Sequence, residues 1–326
     1  MIEEQHLDVR VIAVANSKKM HFNPEGVDLN SWKTLLTEKG DDLNMNRFLE
    51  KVNELNYRNS IFVDNTANES ISLRYADYLK NSIAVVACNK IACSSNYDNY
   101  KNLKYLSKKY EAPFLFETNV GAGLPVIDTL KNLVMSGDKV NRIQAVLSGS
   151  LNFIFNNFVG ETPFAEVVTE AGVQGFTEPD PRIDLSGVDV MRKILILARE
   201  SGNILELDDI KNDSFLPESS LEATSVADFL ETLPKEYAHF NAIRDAAANE
   251  NCRLKYVAEF DNGKAKVGLQ HIPSDHPFYN LDGSDNIVLF FTERYSEQPL
   301  IIKGAGAGAA VTASGLFADI IRIGNK

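Results

Sequence analysis

Between Gly175 and Glu200 the chain crowds Glu178, Asp180, Asp184, Asp189 and Lys193 into one short window. Carboxylates and an amine accept and donate hydrogen bonds and protons, so chemistry is expected here. Pro179 and Pro181 push the residues before them out of the helical region, which holds Glu178 and Asp180 in extended backbone with their carboxylates aimed. Beyond Asp184, Leu185 and Ser186, the recurrence of Val190, Ile194, Leu197 and Ser201 predicts a helix, with Asp189 and Lys193 four apart on a neighbouring stripe. An ordinary surface ion pair is the plain alternative at that spacing. The carboxylates crowded just upstream favour a site.

The elements that must position this window read as α/β. Leu7 to Ala15 becomes continuously apolar, as a buried parallel strand does, and ends at Asn16-Ser17-Lys18-Lys19. Helical patterns follow around Leu29–Leu36 and Phe48–Leu55. Two short apolar strands come next, Ile61–Val63 ending at Asp64-Asn65-Thr66 and Ile83–Ala87 ending at Cys88-Asn89-Lys90. A helix from Tyr97 to Tyr110 then precedes Phe114–Phe116. Short strands alternating with helices predict a doubly wound parallel sheet, whose ligands bind beyond the carboxyl ends of the strands. That places Ser17, Thr66 and Lys90 on one rim, although each alone also suits a helix cap or a surface charge. Hydroxyl and basic groups at the Ser17 tip lean towards a 2′-phosphate and so towards NADP, with a solvated lysine turn as the alternative.

Further on, Glu117 to Pro125 is a glycine-bearing loop feeding a helix through about Ser136. It is able to cage a monovalent cation or to form a tight turn with no ion. Arg142–Leu147, Arg253–Phe260, Ala265–Leu269 and Ile287–Phe291 read as strands of a second, more antiparallel sheet, with Asn262-Gly263 as a hairpin turn. Helices are predicted over Ser225–Leu233 and Tyr237–Glu250. Gly304-Ala305-Gly306-Ala307-Gly308-Ala309, ahead of a last helix from about Val311 to Ile323, formally fits a dinucleotide fingerprint. With 17 residues beyond it and no second strand or ribose-binding acid, it reads instead as a place where backbone and ligand approach closely. Nothing before Leu7 supplies the strand and glycine turn that open a dinucleotide fold.

Length and composition bound the rest. A chain of 326 residues predicts two domains. A net charge of −12, from 33 basic and 45 acidic residues, argues against nucleic acid and anionic lipid as partners. No apolar run approaches a membrane span, and Met1-Ile2-Glu3-Glu4 lacks the regions of a signal peptide, so the expected location is cytoplasmic. Cys88, Cys93 and Cys252 read as reduced thiols. The five histidines show no metal-binding spacing.

Three stretches together resemble homoserine dehydrogenase: Asn119-Val120-Gly121-Ala122-Gly123-Leu124-Pro125; Leu147-Ser148-Gly149-Ser150-Leu151-Asn152; and Thr177-Glu178-Pro179-Asp180-Pro181 through Asp184-Leu185-Ser186-Gly187 to Lys193. The likeness runs from the Val14-Ala15-Asn16-Ser17 tip to the final helix. It is strongest to the dehydrogenase part of bifunctional aspartokinase–homoserine dehydrogenases, in which an aspartokinase lies upstream. The resemblance implies NAD(P)-dependent interconversion of L-aspartate 4-semialdehyde and L-homoserine on the route to threonine and methionine. It implies Lys193 as proton donor with Asp189 as partner, Glu178 and Asp184 (with Asp189) on substrate, and Lys90 near the reacting oxygen. Ala15, Ser17, Thr66, Lys90, Gly175 and Gly306 are implied at the cofactor, NADP or NAD. Glu117 and the backbone oxygens of Val120, Ala122 and Leu124 are implied around a monovalent cation, Na+ or K+. A homodimer through the second sheet is also implied.

The expected architecture is therefore an incomplete doubly wound, Rossmann-like nucleotide-binding domain over 1–120, lacking the first strand and completed by 304–326. A second α+β domain over 121–303 serves substrate binding and dimerisation. Without the glycine turn, weak NADP binding and two exposed sheet edges are expected. Two other readings remain: a catalytically impaired fragment serving as a dimerisation or structural domain, and a cysteine-dependent aldehyde dehydrogenase, for which no histidine lies near Cys88 or Cys93 in sequence.

Overall fold

A computed structural model describes residues 6–325; the signal-peptide reading of Met1–Glu4 lies outside them. The chain opens with a small antiparallel sheet of β1 (Ala13–Ala15), β2 (Lys19–Phe22) and β3 (Asp41–Asp42) in the order β1-β2-β3. The long parallel strand expected over Leu7–Ala15 is thus not formed. Asn16 accepts hydrogen bonds from the amides of Lys18 and Lys19, and this turn folds the chain straight back on itself. Val11 and Ile12 spend their carbonyls on the amides of Val27 and Asn23 in the following loop.

Helix α1 (Met45–Leu55) is capped by Asn44, whose side chain accepts from the amides of Asn46 and Arg47, and ends at Asn56 in the left-handed region. Its Phe48 packs on Phe22 of β2, with ring centroids 4.8 Å apart, and on Phe62, 6.4 Å away. Phe62 belongs to β4 (Ile61–Asp64), which pairs in parallel with β5 (Ala84–Ala87). Every residue of β5 is buried, as a central parallel strand requires. Helix α2 (Tyr97–Lys109) leads to β6 (Phe114–Leu115), and β4, β5 and β6 pair in parallel in that order, forming the parallel α/β sheet of a nucleotide-binding domain. β1 and β4 each end their sheet, so α1 joins the two sheets by packing rather than by backbone pairing.

From α3 (Val126–Met135) the chain enters β7 (Val140–Val146) and then α4 (Gly149–Asn157), capped by Ser148, α5 (Phe164–Val173), a short helix at Pro181–Leu185 and α6 (Val188–Glu200). β8 (Lys211–Asp213) follows, then β9 (Arg253–Asp261), β10 (Lys264–Ile272), β11 (Asp285–Thr292) and β12 (Leu300–Ala305). These strands form one sheet in the order β12-β11-β7-β9-β10-β8, antiparallel except for the β8/β10 pair. Asn262 and Gly263, both at positive φ, make the β9/β10 hairpin turn. Helix α7 (Ala309–Gly324) returns to pack on β5 and on the short turn Glu117–Asn119.

Helix α6 is buried at every residue from Lys193 to Glu200. A helix sunk this deeply is expected to be apolar all round. Its three charged residues in that stretch are therefore the places where the fold has to supply partners.

Candidate active site

Gly187, at φ +74, opens α6, and a Cβ there would run into the Tyr256 hydroxyl. The helix so placed puts Asp189 in its first turn and Lys193 one turn deeper. Lys193 Nζ lies 2.7 Å from Asp189 Oδ2 and donates to the Leu147 carbonyl at 2.7 Å. Lys90, just past the carboxyl end of β5, places its Nζ 3.3 Å from the other Asp189 oxygen. One carboxylate thus stands between two ammonium groups, one brought by the end of β5 and one by α6.

The electrostatics follow from this arrangement. Burial pushes the Lys193 ammonium below the ordinary lysine value, and Lys90 adds to that while Asp189 opposes it. Burial alone would raise the Asp189 carboxyl, but Lys193 and Lys90 outweigh it and hold it well below the usual carboxylate range. As an ammonium, Lys193 retains one N–H for a ligand oxygen beyond its bonds to Leu147 and Asp189.

A cavity of about 350 Å³ opens onto Lys193 and Asp189, with Gly149, Ser150, Asp184 and Ser284 among its lining. Asp184 accepts from Ser150 Oγ at 2.7 Å and from the Glu178 amide at 2.8 Å, so it shapes the 178 loop as well as facing the cavity. Glu178 itself is exposed. Asp180 is taken up locally, capping the helix Pro181–Leu185 and gripping the Arg182 guanidinium. Gly175 and Gly308 also line the cavity, and a Cβ on either would meet no protein atom within 4 Å, so both leave room for a ligand to approach backbone. A larger surface groove of about 510 Å³ beside Thr169 and Leu233 contains none of the expected site residues.

On the nucleotide side, Thr66 and Lys90 follow adjacent parallel strands and share their carboxyl edge. Ser17 and Ala15 do not share that sheet. They are exposed at the β1/β2 turn, where Lys19 is paired with Asp42 at 2.9 Å. The single rim expected for Ser17, Thr66 and Lys90 is therefore two sheet edges, because Asn16 turns β1 back before it reaches β4. Gly306 is buried, and a Cβ there would strike the Asn286 side chain.

Asp64, which the sequence reading left as a strand terminator, is 2% exposed and organises this edge. It accepts from Tyr75 OH at 2.6 Å, from Asn89 Nδ2 at 3.0 Å and from the Thr66 amide at 2.8 Å. Its visible signal was an acid ending an apolar strand just before Asn65-Thr66. Arg199 and Glu200 were missed as well. Arg199 donates to the carbonyls of Cys93, Ser95 and Leu205, while Glu200 holds Lys104 at 3.0 Å and the Tyr100 hydroxyl. The Glu200 bonds fasten the far end of α6 to α2, and the Arg199 bonds fasten it to the segment just before α2 and to the loop that follows α6. Charged residues closing an otherwise apolar helical run were the clue.

Glu117 is 6% exposed, and both its oxygens accept amides at the start of α3, Ile127 at 2.7 Å and Asp128 at 2.8 Å. Burial raises its pKa to about 7, against the pull of those amides. Val120 is buried beside it, Ala122 is held at φ +51, and the Leu124 carbonyl accepts the Val126 amide at 2.8 Å.

A family model described as homoserine dehydrogenase matches residues 125–321, and one described as homoserine dehydrogenase, NAD binding domain, matches residues 1–117. The chain is 46% identical over 324 residues to bifunctional aspartokinase/homoserine dehydrogenase 2, chloroplastic, of Arabidopsis thaliana, covering 98% of this chain and 35% of that protein. It is 38% identical over 323 residues to homoserine dehydrogenase of Schizosaccharomyces pombe, covering 96% of this chain and 86% of that enzyme. A crystal structure of a Candida auris protein of unknown function superposes with a TM-score of 0.91 at 37% identity, over 99% of this chain and 93% of that one. A hyperthermophilic archaeal homoserine dehydrogenase in complex with NADPH shares the fold, with a TM-score of 0.74 at 24% identity over 98% and 91% of the two chains. The matched segments hold both the Lys90 and the Asp189–Lys193 sides of the site, and the chain belongs to the homoserine dehydrogenase family.

Proposed function

We propose that the chain interconverts L-aspartate 4-semialdehyde and L-homoserine with NADP as its nicotinamide cofactor. The observation that carries this is the buried Lys193 ammonium, held by Asp189 at 2.7 Å and by the Leu147 carbonyl, with the cavity in front of it.

A reduced nicotinamide, when bound, supplies the hydride for the aldehyde carbon. The chain's own task is then to bind the amino acid and to place a proton on the aldehyde oxygen. Lys193 donates that proton through its remaining N–H, and burial makes it a better acid than an exposed lysine. Asp189 and Leu147 fix the direction of the ammonium, and Lys90 holds the second Asp189 oxygen. Asp184, set by Ser150, and Glu178 on the adjoining loop bind the substrate ammonium.

For the cofactor, the open space at Gly175 and Gly308 fits a ligand laid against backbone, and the Asp64 cluster gives the carboxyl edge of β4 and β5 a fixed shape. Thr66, Lys90, Gly175 and Gly306 would hold it on that side, with Ala15 and Ser17 at the ribose end. The basic, hydroxyl-bearing β1/β2 turn favours NADP over NAD. Glu117 with the carbonyls of Val120, Ala122 and Leu124 would hold a monovalent cation. A buried carboxylate whose pKa is raised to about 7 is a group that a cation stabilises.

The same reading places the chain on the route to threonine and methionine and pairs two copies across the six-stranded sheet. A fused aspartokinase, named in the plant relatives, is its expected companion. The test is oxidation of NADPH and of NADH with L-aspartate 4-semialdehyde and with other small aldehydes. Turnover that prefers another aldehyde, or none with any, rejects the proposal.

A further inference from the structure

The segment between β10 and β11 passes the cavity as a strap, and three successive carbonyls of it are each gripped by a different cation. Tyr279 O accepts from Arg253 Nη1 at 3.1 Å, Asn280 O from Lys303 Nζ at 3.4 Å, and Leu281 O from Lys255 Nζ at 2.6 Å. Arg253 and Lys303 stand at the surface, whereas Lys255 is 0% exposed. Its other two hydrogens go to Asn152 Oδ1 at 2.9 Å and Asn156 Oδ1 at 2.6 Å on α4. Among the described residues, no carboxylate is a hydrogen-bond partner of Lys255.

The two asparagines complete the attachment. Asn152 Nδ2 donates to the carbonyls of Gly283 and Asp285, and Asn156 Nδ2 to those of Leu281 and Gly283. Between these anchors sits Ser284, whose carbonyl presses so close to Gly149 that a Cβ there would lie 3.0 Å away. Gly149 and Ser284 are both walls of the cavity that contains Lys193 and Asp189. A buried ammonium without a counter-ion is a poor stabiliser of a core, and an apolar side chain of similar length would fill the space more cheaply. What a methionine could not do is hold Leu281 O, Asn152 and Asn156 at once.

The geometry points to Lys255 as a positioning residue for the amino-acid pocket: its ammonium fixes the 279–285 strap to α4, and the strap in turn sets Ser284 as a wall of the cavity that holds Lys193. The substrate class rests on the function proposed above; the strap and its tether do not. The device also responds to pH. Burial, with Arg253 and Lys303 nearby and only Asp282 opposing, brings Lys255 down to about 8. A neutral amine has two hydrogens for three acceptors, so the strap loosens as pH rises through that value.

The test compares wild type with Lys255→Met by hydrogen–deuterium exchange and by steady-state kinetics. Amides of 279–285 are expected to exchange about tenfold faster in the variant with α6 unchanged, and KM for the amino-acid substrate to rise about tenfold with kcat within roughly threefold. A folded variant with an unchanged strap, or one that loses kcat alone, overturns the proposal. Should wild type show no turnover with L-aspartate 4-semialdehyde, the functional reading fails while strap exchange still decides the role of Lys255. If Lys255→Met does not fold, Asp282→Asn decides. Asp282 is exposed, and its loss removes the one charge that favours the Lys255 ammonium. The pH at which strap exchange accelerates, corrected for intrinsic rate, must then move down; an unmoved midpoint overturns the assignment.

Discussion

Lys90 reaches Asp189 across the two parts of the molecule, its Nζ 3.3 Å from Oδ1, so the carboxyl edge of β5 and the first turn of α6 meet at one carboxylate. Asp189 is thereby the common partner of two lysines, and Lys90 is held in place by the helix that carries Lys193. The consequences for the proposed reaction can be tested singly.

Lys193→Ala removes the ammonium that joins Asp189 and Leu147 at the cavity. Loss of a proton donor corresponds to a fall in kcat of about 10²- to 10⁴-fold. The expected outcome is a large drop in kcat with substrate affinity by calorimetry largely retained, and a variant near wild-type kcat refutes the role of Lys193.

The pH profile follows from the same geometry. Reduction requires protonated Lys193, so its rate falls as pH rises through the Lys193 pKa, which lies below the ordinary 10.5. Asp189 favours the ammonium, so Asp189→Asn moves this alkaline limb to lower pH. A profile of kcat against pH for both proteins checks the direction. A limb that stays put or moves up contradicts the assignment.

Glu117 gives a stability prediction. Its carboxyl is raised from 4.5 to about 7 in the folded chain, so between those values the native state binds more protons than the unfolded one and stability falls as pH rises. The loss is complete once pH exceeds about 7 and amounts to roughly 3 kcal/mol at most, at 1.36 kcal/mol per unit. Melting temperature measured from pH 4.5 to 7.5 without Na+ or K+ is expected to decline. Added Na+ or K+ is expected to flatten the decline, and Glu117→Gln to remove it. A melting temperature independent of pH and of salt identity in wild type counts against a cation at this loop.

Asp64→Ala leaves the buried Tyr75 hydroxyl and the Thr66 amide without their acceptor and takes one of two acceptors from the Asn89 side-chain amide. Each unsatisfied buried group costs about 1–3 kcal/mol. The variant is expected to lose at least about 2 kcal/mol in urea unfolding, and, where folded, to bind NADP more weakly because the Thr66 and Lys90 loops lose their common anchor. Unchanged NADP affinity in a folded variant separates the stabilising role from the cofactor role and rejects the latter.

How much of this was legible beforehand depended on the range of each interaction. The α6 helix, the Asp189–Lys193 spacing and the Asn262-Gly263 turn are local, set by side-chain periodicity and backbone preference within a few residues, and the structure has them where the sequence placed them. The extended Asp180 before Pro181 is local too. The Leu7–Ala15 strand was misread because the Asn16 turn, two hydrogen bonds long, redirected an apolar run that periodicity treats as continuous. Lys90 on Asp189, Asp64 beneath Asn89, Arg199 on the carbonyls of Cys93 and Ser95, and Lys255 beneath the 279–285 strap join residues from 25 to more than 100 positions apart, or are assembled from several such segments at once.

The sequence alone therefore determined which chemical groups are present and which local elements carry them, since composition, spacing and turn chemistry act along the chain. Tertiary structure decided which of those groups share a partner. Burial and charge pairing act through space, and only the folded chain brings Lys90, Asp189 and Lys193 close enough for one carboxylate to set both lysines.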